Sequence, residues 1–262
     1  MNVPMNAIQF ETQPKLRNPV LVAAFEGWND GGVAATNAVK RLIDILKAEK
    51  FARLDPEEFY VFTEVRPHVR LVEGKTRRVS WQTNDFYHAA LPGTERDIIL
   101  FLGTEPNLRW KTYCDNLLSV ARYYDVKDVV TLGAFLADVL YTLPIQVNGF
   151  ANSPQLEERL SLKRSSYEGP TGIVGVFSDI CQGAAYNMVS LWAAVPYYIS
   201  VPNPKAVYAL LTKLRAVFDF KLDLDALEKD VDTFDNEIND VVAKDPNVAA
   251  YVRELKKREF LN

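Results

Sequence analysis

Short, continuously apolar runs alternate with segments of helical periodicity along most of this chain. Such runs occupy 19–25 (PVLVAAF), 97–102 (DIILFL) and 129–132, and a polar, glycine-bearing loop follows each of them. A strand buried on both faces has this continuous pattern, whereas a strand with one wet face alternates apolar and polar residues. The chain is therefore predicted to be an α/β protein with a mostly parallel sheet flanked by helices.

Further elements extend this alternation. Helices are predicted over about 33–46, 108–124 and 179–188, and strands over 172–177 and 189–195. Residues 57–91 have a different character, because β-rich pieces at 59–63 and 79–83 are separated by polar turns around Glu73-Gly74. This stretch is predicted to be an antiparallel or irregular insert.

The last 42 residues have the pattern of a helical hairpin. Apolar side chains recur at steps of three and four, the spacing of one face of a helix. This candidate interaction seam comprises Leu224, Leu227, Val231, Phe234, Ile238 and Val241. Pro246 is predicted to begin a second helix. We expect a core domain over 1–220 and a helical appendage over 221–262, which packs either on its own body or on another subunit.

Composition and charge restrict the class of protein. With 48% hydrophobic residues the chain can bury a large core, and the first 220 residues balance 23 basic against 23 acidic residues. The last 42 hold 7 basic and 11 acidic residues, so the net charge of −4 arises in the tail. A neutral body argues against a dedicated nucleic-acid binder, although local basic patches remain compatible with it.

The cysteines and the apolar runs indicate the cellular compartment of the protein. Cys114 and Cys181 lie far apart in predicted helices, without a CxxC partner, so we expect them to be reduced and buried. The longest apolar stretch, 189–201, is interrupted by Ser190, Pro196 and Ser200, which argues against a membrane span. The sequence predicts a soluble cytoplasmic protein.

Polar side chains follow three predicted strands, at the edge where open α/β sheets bind ligands. They lie in the loops at 26–32, 103–110 and 133–144, and a further acid lies in the turn at 167–172. The candidate ligand-pocket residues are Asn29, Asp30, Glu105, Asn107, Arg109, Asp138, Tyr141 and Glu168. A carboxylate here could act as a general base, and the guanidinium could hold a phosphate or carboxylate.

The same residues have structural interpretations, which the sequence leaves open. Asn29 or Asp30 could cap the first helix. Asn107 could cap the second helix, with Glu105 paired to Arg109 across one turn. The acids of the two later loops could organise their own turns through backbone N–H groups.

Missing residue types restrict the chemistry further. The two histidines, His68 and His88, both lie in the predicted insert and belong to no HExxH or GxSxG pattern. A Ser-His-Asp hydrolase or a histidine zinc enzyme is therefore not expected. The sequence predicts no metal and no cofactor, and it favours a non-catalytic protein.

Five separated motifs, taken in order, resemble the family named for the second proteasome assembly chaperone, in its actinobacterial branch. The motifs are AFEGWNDGG at 24–32, GTEPNLRW at 103–110, LGAFLADV at 132–139, YEGPTGIVGV at 167–176 and SLWAAVPYY at 190–198, with Pro204-Lys205-Ala206 after them. The resemblance covers about residues 15–220 and continues into the helical tail.

The resemblance implies a fold similar to purine nucleoside phosphorylases and a homo-oligomer, with trimers among the expected forms. It implies no established activity: eukaryotic relatives act in pairs to help build proteasome rings, and archaeal relatives bind proteasome subunits. The family's bacterial members carry a histidine and an arginine where this chain has Tyr141 and Leu143. Relatives that dock on proteasomes end in a hydrophobic residue, a tyrosine and any residue, whereas this chain has Phe260-Leu261-Asn262, which argues against docking by that tail.

Two functions are therefore expected as alternatives. The first is a non-catalytic protein-interaction or assembly-chaperone-like scaffold that binds itself and a protein partner. The second is a phosphorylase-like or hydrolase-like enzyme or sensor, which would bind a nucleoside-like or phosphorylated small molecule where the candidate loops meet.

Overall fold

In the computed structural model, residues 7–259 are described, and they form an eight-stranded sheet, a separate two-stranded hairpin and seven α-helices. The strands are β1 (Ile8–Phe10), β2 (Val20–Glu26), β3 (Glu49–Leu54), β4 (His68–Val72), β5 (Thr76–Ser80), β6 (Asn84–Ala90), β7 (Asp97–Thr104), β8 (Asp128–Ala137), β9 (Val147–Ala151) and β10 (Asn187–Pro196). The helices are α1 (Ala34–Leu46), α2 (Trp110–Tyr123), α3 (Pro154–Arg159), α4 (Ile173–Gly183), α5 (Pro204–Phe218), α6 (Asp225–Lys244) and α7 (Pro246–Glu259).

The sheet has the strand order β1-β3-β6-β7-β2-β8-β10-β9. Its four central strands β7, β2, β8 and β10 are parallel, with Val22 opposite Leu100 on one side and Val130 on the other. The remaining strands join both sides by antiparallel pairing. The predicted α/β fold is confirmed, and its parallel part is the centre of a mixed sheet.

Both faces of the central sheet are covered by helices. Val20 and Val22 of β2 pack in one apolar core with α1 and α5, while Leu21 and Ala23 pack in a second core with α2 and α4. Successive side chains of a strand point to opposite faces, so a strand between two helical layers needs apolar residues at every position. This explains the continuous apolar run.

The prediction of a strand over 172–177 is wrong, because these residues begin α4. Its buried side chains include Ile173, Val174, Phe177 and Cys181, at helical rather than alternating spacing. A short apolar run cannot be assigned to strand or helix by periodicity alone. Of the helix predicted over 179–188, only the part up to Gly183 belongs to α4, and Asn187 and Met188 already begin β10.

The predicted insert at 57–91 contains one hairpin and one strand of the main sheet. Residues 59–63, expected to be β-rich, form turns, whereas β4 and β5 pair with each other alone. Strand β6 pairs with both β3 and β7, so it belongs to the main sheet. His68 therefore lies in the hairpin and His88 in the sheet.

The tail forms two helices, α6 and α7, with Pro246 as the first residue of the second. Leu224 and Leu227 are part of the core beneath α1 and α5. Further along, Phe234 and Ile238 pack with α7 in a third cluster, which also contains residues of the loops after β8 and β10. The division into a 1–220 domain and a 221–262 appendage stays a prediction.

Cys114 in α2 and Cys181 in α4 are both buried and unpaired. Burial raises the pKa of Cys114 to about 12, so its sulfur is a protonated thiol at neutral pH. Both cysteines act as small apolar side chains of the core.

Candidate functional site

The candidate loops leave the sheet at the carboxyl ends of β2, β7 and β8, which all lie at one edge because these strands are parallel. The loop after β10 leaves from the same edge. We call this region the carboxyl edge. It is where an open α/β sheet binds ligands, so the contacts of each polar side chain there decide what the edge can do.

Glu105 and Asn29 hold the first turn of α4. The Glu105 Oε1 atom accepts a hydrogen bond from the backbone N–H of Ile173 at 2.8 Å, and Asn29 Oδ1 accepts one from Val174 N–H at 3.3 Å. The first N–H groups of a helix need acceptors from outside it, and a carboxylate there also interacts favourably with the helix dipole. The N-cap residue Gly172 has no side chain for this role, so two other loops supply the cap.

Two glycines allow these loops to approach each other so closely. A Cβ atom on Gly172 would lie 2.1 Å from Asn29 Oδ1 and 2.6 Å from Glu105 Oε1. Gly27 has a φ of +139°, and a Cβ there would lie 2.9 Å from that of Glu105. Glu105 Oε2 also accepts a hydrogen bond from Trp28 N–H at 3.1 Å, so both carboxylate oxygens are engaged. The loop glycines make room for Glu105 and Asn29.

Asp30 caps α1. Its Oδ1 atom accepts hydrogen bonds from the backbone N–H groups of Ala35 at 2.7 Å and Thr36 at 3.2 Å, and the Thr36 hydroxyl donates to Oδ2. Burial raises the pKa of Asp30 above its ordinary value, although these hydrogen bonds favour the charged form. Of the two interpretations open from sequence, the structure supports the cap.

Asn107 and Arg109 fasten the loop after β7 to residues 55–67. Asn107 Oδ1 accepts a hydrogen bond from Val61 N–H at 3.0 Å, and the Arg109 guanidinium pairs with Glu58 at 2.7 Å. The expected pairing of Glu105 with Arg109 is not formed, because Glu105 binds α4. Arg109 and Glu58 are both largely exposed, so their ion pair contributes little to stability.

The last three pocket candidates differ in exposure. Tyr141 is buried, and its hydroxyl donates to Asn239 Oδ1 of α6 at 2.7 Å. Asp138 is exposed and lies near the Tyr251 hydroxyl, whose pKa is raised first by burial and then by Tyr197 and Asp138. Glu168 is exposed. Glu105, Arg109 and Asp138 thus have three different partners and do not form one shared cluster of hydrogen bonds.

The predicted seam of the tail is largely covered within one chain. Leu224, Leu227, Phe234 and Ile238 are buried, and Val231 is half-buried. Val241 is 59% exposed, and its neighbour Val242 occupies the buried position instead. Whether the tail also contacts another subunit stays a prediction.

Large exposed apolar side chains distinguish the carboxyl edge, and sequence reasoning missed them as a group. They lie on β8 or in the loops that leave this edge or border it. We call this set the edge surface; it comprises Trp28, Leu108, Phe135, Leu136, Leu143, Tyr167, Tyr197 and Val201. The recurrence of an aromatic or aliphatic residue in otherwise polar, glycine-bearing loops is the signal that could have identified them. Clustered exposed apolar residues mark interaction sites.

A buried polar cluster beneath this edge was also not predicted. Asn84 Oδ1 accepts hydrogen bonds from the hydroxyls of Tyr113 at 2.7 Å and Tyr60 at 2.9 Å. The backbone oxygen of Thr104, at the end of β7, is also within hydrogen-bonding distance of both hydroxyls, so each hydroxyl shares its single proton between two acceptors. Burial raises the pKa of both tyrosines, so they remain neutral donors. The cluster fixes β6, β7 and α2 to one another.

Two grooves on the molecule lie at the opposite edge of the sheet. One of about 920 Å³ is lined by the ends of α1, β6 and α5, and one of about 430 Å³ by the residues that precede β8 and β10. Within residues 7–259, no group of three or more His, Cys, Asp or Glu side chains could hold a metal ion. Among the helices described, none is long and apolar enough to cross a membrane.

Known structures share this architecture. A proteasome-assembly chaperone homologue of Mycobacterium tuberculosis is 44% identical, with 89% of this chain and 99% of that chain covered and a TM-score of 0.81. A PAC2 family protein of Streptomyces avermitilis is 43% identical, with the same coverage and a TM-score of 0.80. PbaB of Pyrococcus furiosus, an archaeal proteasome activator, is 20% identical over 89% of this chain and 97% of its own, with a TM-score of 0.72, and shows a shared fold alone.

No curated protein matches the chain. The model of the PAC2 family matches residues 24–242, which span both cores and most of α6. This match includes the loops that hold Asn29, Glu105 and Asp138, and it agrees with the identity to the actinobacterial structures. The chain belongs to the PAC2 family.

Proposed function

We propose that this protein is a non-catalytic, assembly-chaperone-like scaffold that binds proteasome subunits through its edge surface. The observation that carries the proposal is the composition of the carboxyl edge. Glu105, Asn29 and Asp30 are engaged in helix capping, whereas Trp28 and Leu136 are 62% and 57% exposed. Exposed apolar side chains in polar surroundings suit a protein partner better than a small polar ligand.

The type of partner is suggested by relatives. The Mycobacterium tuberculosis structure is of a proteasome-assembly chaperone homologue, and PbaB is an archaeal proteasome activator. We place the contact on the edge surface, because its large apolar side chains are exposed. Residues 260–262, whose sequence argues against docking by a tail, lie outside the described residues.

Two further parts of the proposal concern the state of the protein. The buried, unpaired thiols Cys114 and Cys181 are consistent with a reducing cytoplasm. A homo-oligomer and a likeness to purine nucleoside phosphorylases are expected from the resemblance noted above.

The test is binding to purified proteasome subunits of the same organism, both unassembled and as the complete core particle, by biolayer interferometry. A double variant, Trp28→Ser with Leu136→Ser, removes two exposed anchors and should weaken binding by roughly 10-fold or more. Tyr123→Ser is the matched control, because Tyr123 is a half-exposed aromatic at the far end of α2. If the wild-type protein binds no subunit in either form, or if both variants bind as it does, the proposal is wrong.

A further inference from the structure

The hairpin formed by β4 and β5 extends from the body without a covering partner. We call residues 68–80 the arm. Within residues 7–259 its strands pair only with each other, and its side chains are exposed except for the half-buried Ser80 at its base. A lone two-stranded hairpin is at best marginally stable in water, so an exposed one gains from a surface that covers it.

One face of the arm combines apolar side chains with a guanidinium group. Residues directly opposite each other share a face, and the register pairs Val69 with Val79 and Leu71 with Arg77. Val69, Leu71 and Val79 therefore lie on the same face as Arg77, and the three apolar side chains are 61%, 62% and 54% exposed. The other two arginines lie on the opposite face. The arm holds four Lys or Arg residues and one Glu, which makes it a local basic patch on a neutral body.

Helix α6 has the complementary chemistry. It contains seven Asp or Glu residues and two Lys residues. Near its end, Val241 is 59% exposed, with Glu237 one turn before it on the same side and Asp240 next to it. An exposed apolar side chain among carboxylates matches exposed apolar side chains beside guanidinium groups.

The two surfaces lie on opposite flanks of the carboxyl edge. The arm leads into β6, whose first residue Asn84 is opposite Gly103 at the end of β7. The second half of α6 is tied to the other flank, because Asn239 binds Tyr141 after β8 and Asp235 pairs with Lys205 after β10. Strands β2 and β8 separate β7 from β10 in the sheet. This placement suits a contact between the arm of one molecule and α6 of the next.

We propose that the arm docks on the acidic surface around Val241 of α6 in a second copy of this chain. The apolar side chains of the arm cover Val241, while Arg77 on the same face lies against Glu237 and Asp240. Because the two surfaces are different, the contact is head-to-tail, and repetition closes a ring if the rotation allows it. This self-association specifies the contact of the homo-oligomer proposed above. It uses surfaces other than the edge surface, so it does not depend on the proposed binding of proteasome subunits.

The first test is a charge swap followed by sedimentation velocity. The reversal Arg77→Glu should raise the dissociation constant of the oligomer by roughly 10-fold or more, because like charges are brought together. Glu237→Arg with Asp240→Arg should do the same. The protein with all three changes should regain self-association, which a merely structural role of these residues would not restore.

The matched control reverses two lysines at the opposite edge, Lys15→Glu with Lys127→Glu, and should leave the sedimentation coefficient unchanged. Circular dichroism should be the same for all variants, and so should Tm in dilute solution where each is monomeric, since the altered side chains are exposed. A wild-type protein that is monomeric at every concentration overturns the proposal. So does an oligomer that neither reversal weakens, or one that the variant with all three changes does not restore.

A second test distinguishes a contact between two copies from a contact within one chain. Arg77→Cys and Glu237→Cys are made in separate proteins, mixed, and treated with a short bis-maleimide; the native cysteines are buried. A cross-linked heterodimer, absent when Lys15→Cys replaces Arg77→Cys, supports the contact between copies. If the mixture gives no heterodimer while a single chain with both changes cross-links internally, the arm folds back in cis and the proposal is wrong.

Discussion

Glu105, at the end of the central strand β7, accepts a hydrogen bond at 2.8 Å from the backbone N–H of Ile173, the first residue of α4. A carboxylate in the loop after a parallel strand is an obvious candidate for ligand binding. Here it is a structural cap instead, because α4 begins at a glycine and takes its acceptors from two other loops. Polar side chains of the carboxyl edge are therefore engaged in helix capping, and exposed apolar side chains border them.

Replacement of Glu105 should therefore affect stability. Glu105→Ala leaves two backbone N–H groups without their acceptor, and it should lower the free energy of unfolding by about 1–3 kcal/mol in urea titrations. The control is Glu58→Ala, which removes an exposed ion pair and should change it by about 0–1 kcal/mol. Equal losses for the two variants would contradict the capping role.

A methyl group at Gly172 should disturb the same contact. Gly172→Ala places a Cβ 2.1 Å from Asn29 Oδ1, so the loops must move apart, and we expect a loss of about 1–3 kcal/mol of unfolding free energy. Gly183→Ala in the last turn of α4 meets nothing within 4 Å and should be neutral or stabilising by up to about 1 kcal/mol. Chemical denaturation of both variants measures the difference; a tolerated Gly172→Ala would show that the loops are not tightly packed.

Asp30 should make stability depend on acidity. Burial raises its pKa above the ordinary value of 3.8, so between 3.8 and the raised pKa the folded protein holds a proton that the unfolded chain has lost. The contribution of Asp30 to the free energy of unfolding should therefore decrease as pH rises through that window and be constant above it. Asp30→Asn removes the effect, so the stability difference, wild type minus variant, should fall across the window. Urea titrations at several pH values measure it, and a difference that rises with pH would mean a lowered pKa.

The tail helices should depend on the cluster that they bury. Phe234→Ala removes a buried aromatic that packs against α7 and the loops after β8 and β10, and should lower the free energy of unfolding by about 3–5 kcal/mol. Val241→Ala, two turns further along α6 and exposed within one chain, should change it by no more than about 0.5 kcal/mol in dilute, monomeric protein. Thermal and urea unfolding of the two variants provide the comparison. A Val241→Ala loss in the monomer as large as that of Phe234→Ala would mean that Val241 is covered within its own chain.

Several parts of the fold could be predicted because their cause is local. The continuous apolar runs of β2 and β7 and the three-and-four spacing of α6 are recorded directly in the order of residues. The prediction of a strand over 172–177 is wrong because a helix start and a buried strand look alike over six residues. No local pattern predicts the short strands β3 and β9, since their burial depends on neighbours in the sheet.

The candidate site required contacts that no local pattern contains. The order of residues specifies which loops meet at the carboxyl edge, because parallel strands place their carboxyl ends together. Whether Glu105 serves a ligand or a helix depends on Ile173, which is 68 residues further along the chain. Their contact forms only when the loop after β7 and the start of α4 are packed against each other. A strand that is buried on two faces has a continuous apolar run in the sequence. A hydrogen bond between distant loops has no such local pattern, because it forms only in the tertiary structure.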